Sequence, residues 1–111
     1  MTTLILGLLI VVLIAYIMHS RINYSNDVFD PVYYGNKYSI LTTVYGTDPI
    51  KLAAHWAVTG LGEGRSPCVN YDHDAYLATL SAVDAPIVKA QGNAYTYWHY
   101  LANKVFAKQL I

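Results

Sequence analysis

Residues 55–67 read HWAVTGLGEGRSP, and the fold class turns on what this stretch is. Gly60, Gly62 and Gly64 alternate beside Glu63 and Arg65, and His55 lies just upstream. A phosphate-binding loop needs a strand before it and a Gly-Lys-Ser/Thr ending, and a dinucleotide loop needs strand-Gly-x-Gly-x-x-Gly-helix. Neither context is present. The residues ahead place Ile50, Ala53, Ala54 and Ala57 at helical spacing, so the glycines follow a helix. Gly60 then reads as a left-handed helix stop followed by a tight turn. Glu63 and Arg65 are expected to bridge that turn or clamp a neighbouring unit. His55, beside Trp56 on an apolar helix, reads as a packed histidine with one satisfied ring nitrogen.

Working outward, the same punctuation recurs. Asp30-Pro31 and Thr47-Asp48-Pro49 are helix starts, with Asp capping free N–H groups and Pro tolerated in the first turn. A short helix over 39–45 is expected to stop at Gly46. Asp72 can cap a helix through Leu80, and Pro86 is expected to interrupt the segment after it. The last element, 93–110, spaces Tyr95, Trp98, Ala102, Val105 and Phe106 as one helical face, with Lys104 and Lys108 away from it. No sustained alternation suggests a sheet, so the fold class is all-α.

Residues 2–18, TTLILGLLIVVLIAYIM, carry no charge. At 1.5 Å per residue they make about 26 Å of helix, close to the roughly 30 Å hydrocarbon core of a bilayer. No Lys or Arg precedes the run, and Ala15-Tyr16-Ile17 and Met18-His19-Ser20 make poor cleavage sites, so residues 1–18 are read as an uncleaved anchor rather than a signal peptide. Arg21 and Lys37 come after the span, which places the C-terminal module on the cytosolic side. The single cysteine, Cys68, allows no intramolecular disulfide, in keeping with a reducing compartment. Residues 19–28 are polar and aperiodic and read as a juxtamembrane linker, leaving 29–111 as the module. The seven Lys and Arg against seven Asp and Glu form no basic patch, so nucleic acid is not an expected partner.

Self-comparison divides the module. FDPVYYG at residues 29–35 has a counterpart in YDHDAYL at 71–77, matching Phe29 with Tyr71, Asp30 with Asp72 and Tyr34 with Tyr76. His55-Trp56 likewise matches His99-Tyr100. Two units result, 29–67 and 71–111, each burying the other's apolar face. In order, FDPVYY, GTDP, HWAVTGLGEGRSP and YDHDAYL resemble a short tandem helical repeat. That repeat occurs in bacterial surface and carbohydrate-associated proteins and in large DNA viruses of algae. The resemblance covers residues 29–77. It departs where many such repeats have Tyr-Pro-Asp and this chain has Tyr38-Ser39-Ile40. The second unit also lacks Glu-Gly-Arg and runs into Asn103-Lys104-Val105, as a terminal capping copy. The family carries no established catalytic residues, so the resemblance transfers none.

Asp72-His73-Asp74 is the best metal-like cluster, but residues one apart at a helix start diverge around the axis, so no metal is expected. Cys68 lacks an activating neighbour and reads as a small buried residue or a bystander thiol. Ten of the eleven tyrosines come after the anchor, more than so small a core can bury, and Tyr and Trp favour interfaces. The structural and interface candidates are therefore Tyr33, Tyr34, His55, Trp56, Gly60, Glu63, Arg65, Tyr95, Trp98, His99 and Tyr100. Neither an enzyme, a cofactor nor a small-molecule substrate is expected, because no acid, base, nucleophile and metal set converges. The expected function is a single-pass tether between a bilayer and a larger protein assembly. The resemblance implies a minor capsid protein joining the internal membrane of a large icosahedral DNA virus to its shell. The alternatives are an accessory subunit of a multisubunit membrane enzyme and a membrane-anchored carbohydrate-binding module.

Overall fold

The computed structural model describes Leu9, Ile10 and residues 22–107. The expected anchor, 1–18, lies outside the described residues apart from Leu9 and Ile10, and so does the end of the last expected helix. Among the described residues no helix is long and apolar enough to cross a membrane.

The fold is all-α. A π-type turn, Tyr24–Val28, leads into α1 (Pro31–Lys37), α2 (Ile40–Tyr45) and α3 (Pro49–His55). A π turn, Trp56–Gly60, prolongs α3. After a loop come α4 (His73–Thr79), α5 (Asp84–Ala90) and α6 (Asn93–Tyr100), and a second π segment, Leu101–Phe106, prolongs α6. Within the first set α1, α2 and α3 all pack on one another, and within the second α4, α5 and α6 do the same.

Helices of two turns are marginal in isolation, because few hydrogen bonds offset the cost of nucleation. Local caps and burial carry them instead. Asp30 Oδ1 accepts from the N–H groups of Val32 and Tyr33 at 3.0 and 3.2 Å. Asp48 Oδ1 accepts from Ile50 and Lys51 at 2.9 and 3.3 Å, and Asp72 Oδ2 from Ala75 at 2.9 Å. Each such cap contributes about 1 kcal/mol. Pro31 and Pro49 occupy the first turn, where a missing N–H costs nothing. Gly46 ends α2 at φ +66°.

The core is a chain of rings. Phe29 lies 5.6 Å from Tyr34 and stacks on Trp56 at 6.3 Å, and Tyr34 meets Trp56 edge-on at 6.0 Å. The second unit repeats this with Tyr71, Tyr76 and Tyr100: Tyr71 lies 6.1 Å from Tyr76 and 4.7 Å from Tyr100, and Tyr76 meets Tyr100 edge-on at 5.5 Å. Trp56 and Tyr97 join the units, edge to face at 5.4 Å. Edge-on aromatic pairs add about 0.5–1.5 kcal/mol beyond the area they bury.

Several expectations are corrected. In α3 and its π turn the buried side is Leu52, Trp56 and Gly60, whereas Ile50 is 79% exposed and Ala54 and Ala57 face solvent. Burying Leu and Trp removes more apolar surface from water than burying alanines, and that difference selects the face. Gly60 is not a left-handed stop: positive φ occurs at Gly46, Gly64 and Gly92. Pro86 does not interrupt a helix but sits in the first turn of α5, where backbone N–H groups are free of intrahelical bonds. In the last helix the buried residues are Thr96, Tyr97, Tyr100, Leu101 and Val105, while Tyr95, Trp98, Ala102 and Phe106 are exposed. Finally, residues 22–28 of the expected linker 19–28 are folded, whereas 19–21 lie outside the described residues: Asn23 caps the Tyr24–Val28 turn, and Ile22 and Val28 pack against the core.

Candidate functional site

Two tyrosine–histidine pairs occupy equivalent places. Tyr34, one turn beyond its Asp30 cap, has its hydroxyl 2.7 Å from Nδ1 of His55 at the end of α3. Tyr76, one turn beyond its Asp72 cap, has its hydroxyl 2.5 Å from Nδ1 of His99 in α6. Burial raises both phenols above the ordinary tyrosine value; at Tyr34 the guanidinium of Arg65 opposes that shift without cancelling it. Each phenol therefore stays neutral through the physiological range, and each pair reads as a hydrogen-bonded strut between the first and third helices of its unit.

The glycine stretch is folded onto the first unit. The N–H of Leu61 donates to Trp56 O, that of Glu63 to Thr59 O, that of Gly64 to Leu61 O and that of Arg65 to Gly60 O. With these donors turned inward, the loop has no row of free N–H groups to cradle a phosphate. Arg65 Nε donates to Glu63 Oε2 at 2.9 Å, and its guanidinium lies 4.9 Å above the Tyr38 ring. The ion pair is solvent-screened and contributes little, whereas the stacked face orients the arginine. The N–H of Ser66 donates to the Tyr38 hydroxyl at 2.7 Å, and Asn93 Nδ2 donates to Gly62 O at 2.8 Å, clamping the loop to both units.

The remaining candidates divide by burial. Tyr34, Trp56, Gly60 and Tyr100 are core. Tyr33 is half-buried, with Lys37 Nζ 5.8 Å over its ring. Tyr95 and Trp98 are 48% and 59% exposed on α6, and Ala102 and Phe106 are exposed on the segment that prolongs it. Cys68 is fully buried, and burial pushes its thiol up to about 11. Asp72 serves as a cap, and among the described residues no three His, Cys, Asp or Glu side chains converge as a metal site.

No family model, curated protein or solved structure matches the chain. Its chemistry is therefore read from its own geometry.

The contacts that join the N-terminal turn to the second unit carry no sequence signal. The Tyr97 hydroxyl donates to Val28 O and the Tyr100 hydroxyl to Asp27 O, both at 2.7 Å. Asn70 Nδ2 donates to Asp27 Oδ1 at 2.7 Å. The repeat does not point to them either, since Tyr97 aligns with Ala53 in the first unit. Beside them opens a cleft of about 490 Å³, lined in part by Asp27, Asn70, Asp72 and Lys104 over the edges of Tyr76 and Tyr100. Its carboxylates are already engaged by backbone and amide donors. Among the described residues, the last helix presents the rings of Tyr95 and Trp98 outward, beside exposed aliphatic side chains such as Ile50 and Val58 on α3 and its π turn.

Proposed function

We propose that this chain is a non-enzymatic, membrane-anchored structural protein that ties a bilayer to a larger protein assembly. Residues 2–18 supply the anchor on sequence grounds, being uncharged and nearly long enough to span. The observation that carries the docking half is the outward face of the last helix. Tyr95 and Trp98 stay exposed while Tyr34, Tyr71, Tyr76, Tyr97 and Tyr100 are drawn into the core. Large amphipathic rings held on a rigid helix are the usual anchors of protein interfaces. The specific case we favour is a minor capsid protein linking the internal membrane of a large icosahedral DNA virus to its shell. Support for that case is the likeness of residues 29–77 to the tandem helical repeat of large algal DNA viruses.

The test has two arms. The intact chain is expected to stay in the membrane pellet through alkaline carbonate washing, and deletion of residues 1–18 to release a folded module. An intact chain found in the supernatant overturns the anchor. Cross-linking from Trp98 in the native assembly is expected to capture a shell protein. Capture of redox-complex subunits instead would select the accessory-subunit reading.

A further inference from the structure

The two ends of the described module meet. The Tyr24–Val28 turn packs against the terminal Leu101–Phe106 segment, and the Tyr97 and Tyr100 hydroxyls pin that helix to the carbonyls of Val28 and Asp27. Asp27 and Lys104 line the same cleft, which places the lysine beside the turn. Tyr24 and Phe106 are 53% and 43% exposed on these two packed elements.

Resting on the membrane-anchor reading, we propose that this junction is a second membrane contact. Tyr24 and Phe106 lie in the headgroup layer with Lys104 reaching its phosphates, so the module is held against the bilayer rather than projecting from it. The chain length outside the described module sets this. Three residues, 19–21, separate the end of the apolar run from Ile22, and the four steps from Met18 to Ile22 reach at most about 14 Å when fully extended. The headgroup layer is itself about 5–8 Å deep on each side of the hydrocarbon core. Ile22 packs on the core and Asn23 caps the turn, so no further slack is available. The turn therefore begins no more than about 9 Å beyond the outer edge of the headgroups, and the last helix, hydrogen-bonded to it, is held there too. Aromatic rings favour that layer because an apolar body and a polar surround are both satisfied there, and a lysine stem can lie along it with its ammonium at the phosphates.

The full-length chain is reconstituted in vesicles of phosphatidylcholine and phosphatidylglycerol, with Trp98→Phe as background and buried Trp56 as a constant reference. Phe106→Trp in this background is expected to be strongly quenched by lipids brominated near the headgroup and shielded from aqueous acrylamide. Ile50→Trp, on α3, is expected to show the reverse. If the chain pellets with vesicles but Phe106→Trp is open to acrylamide and blind to brominated lipid, the junction contact is wrong and the anchor stands. Shielding from acrylamide without lipid quenching assigns the face to a protein neighbour or second copy and also overturns the proposal. A chain that washes off the vesicles overturns the anchor itself, and the junction contact with it.

Discussion

The hydroxyl of Tyr34 lies 2.7 Å from Nδ1 of His55, and the pair joins the first and third helices of its unit across 21 residues of sequence. Tyr76 and His99 repeat the contact across 23 residues. Duplication of the same strut in two units favours structure over catalysis, since a reacting group need be present only once. Tyr34→Phe removes one partly buried hydrogen bond while keeping the ring contacts with Phe29, Tyr38 and Trp56, so it is expected to cost about 1 kcal/mol. Tyr76→Phe should cost a similar amount. Urea denaturation of the two variants and their combination measures this, and loss of the folded state on Tyr34→Phe alone would show that more than a strut is involved.

Gly60 tests a different physical cause from the one its sequence suggests. A Cβ there would collide with the Tyr34 hydroxyl and come within 3.0 Å of the Trp56 ring. Gly60→Ala is therefore expected to destabilise by overpacking, by about 1–3 kcal/mol, and Gly60→Val by more. Gly62, two residues on, would bring an added methyl no closer than 3.8 Å, to Thr59 O, so Gly62→Ala should stay within about 0.5 kcal/mol of neutral. Equal melting temperatures for Gly60→Ala and the parent would remove the close-packing account.

Stability should fall in alkali. The buried Cys68 thiol is raised to about 11 from an ordinary 9, and burial raises Tyr71, Tyr97 and Tyr100 beyond their ordinary 10. An acid whose folded pKa is raised keeps its proton longer in the folded state, so above pH 9 the unfolded chain binds fewer protons and gains. The stabilisation is fully present below about pH 9 and is lost progressively as pH rises through the folded values. Cys68 alone accounts for on the order of 2 kcal/mol. Denaturation midpoints measured from pH 7 to 11 should be flat at first and then decline. A Cys68→Ala variant should decline less steeply, and an unchanged slope would exclude the thiol as a contributor.

The N-terminal turn should loosen when its clamps are cut. Tyr97→Phe and Tyr100→Phe together remove both hydroxyls that bind the carbonyls of Val28 and Asp27. Amide exchange at Asp27 and Phe29, whose N–H groups donate to Asn23 O and Tyr24 O, is expected to accelerate while exchange within α1 changes little. Uniform acceleration over the whole module would mean that the turn is no separate unit.

Trp98→Asp should leave stability within about 0.5 kcal/mol of the parent, because the ring is 59% exposed. Its effect should show instead as lost cross-linking to the partner assembly. A large drop in melting temperature would place Trp98 in the core and remove it from the docking face.

The helix starts were legible because their chemistry is local. Asp30, Asp48 and Asp72 each need only the next three residues to make their caps. The recurrence of Phe29, Asp30, Tyr34, His55 and Trp56 as Tyr71, Asp72, Tyr76, His99 and Tyr100 was likewise visible as spacing. Which face of each long helix turns inward was not. The misread positions Ile50, Ala54, Tyr95 and Trp98 lie in regular α turns ahead of the π segments, so helical spacing alone offered two faces, and burial of the larger apolar side chains against the other helices selected one.

By itself the sequence determined the all-α class, the helix starts at Asp30, Asp48 and Asp72 and the pairing of equivalent positions, since caps, prolines and periodic rings act over a few residues. Tertiary structure alone decided that Gly60 is a packing glycine beside Tyr34, that Tyr97 and Tyr100 hold the N-terminal turn, and that Tyr95 and Trp98 stay outside. These depend on ring shapes meeting across dozens of residues, where the arrangement that buries the most apolar area without a clash prevails.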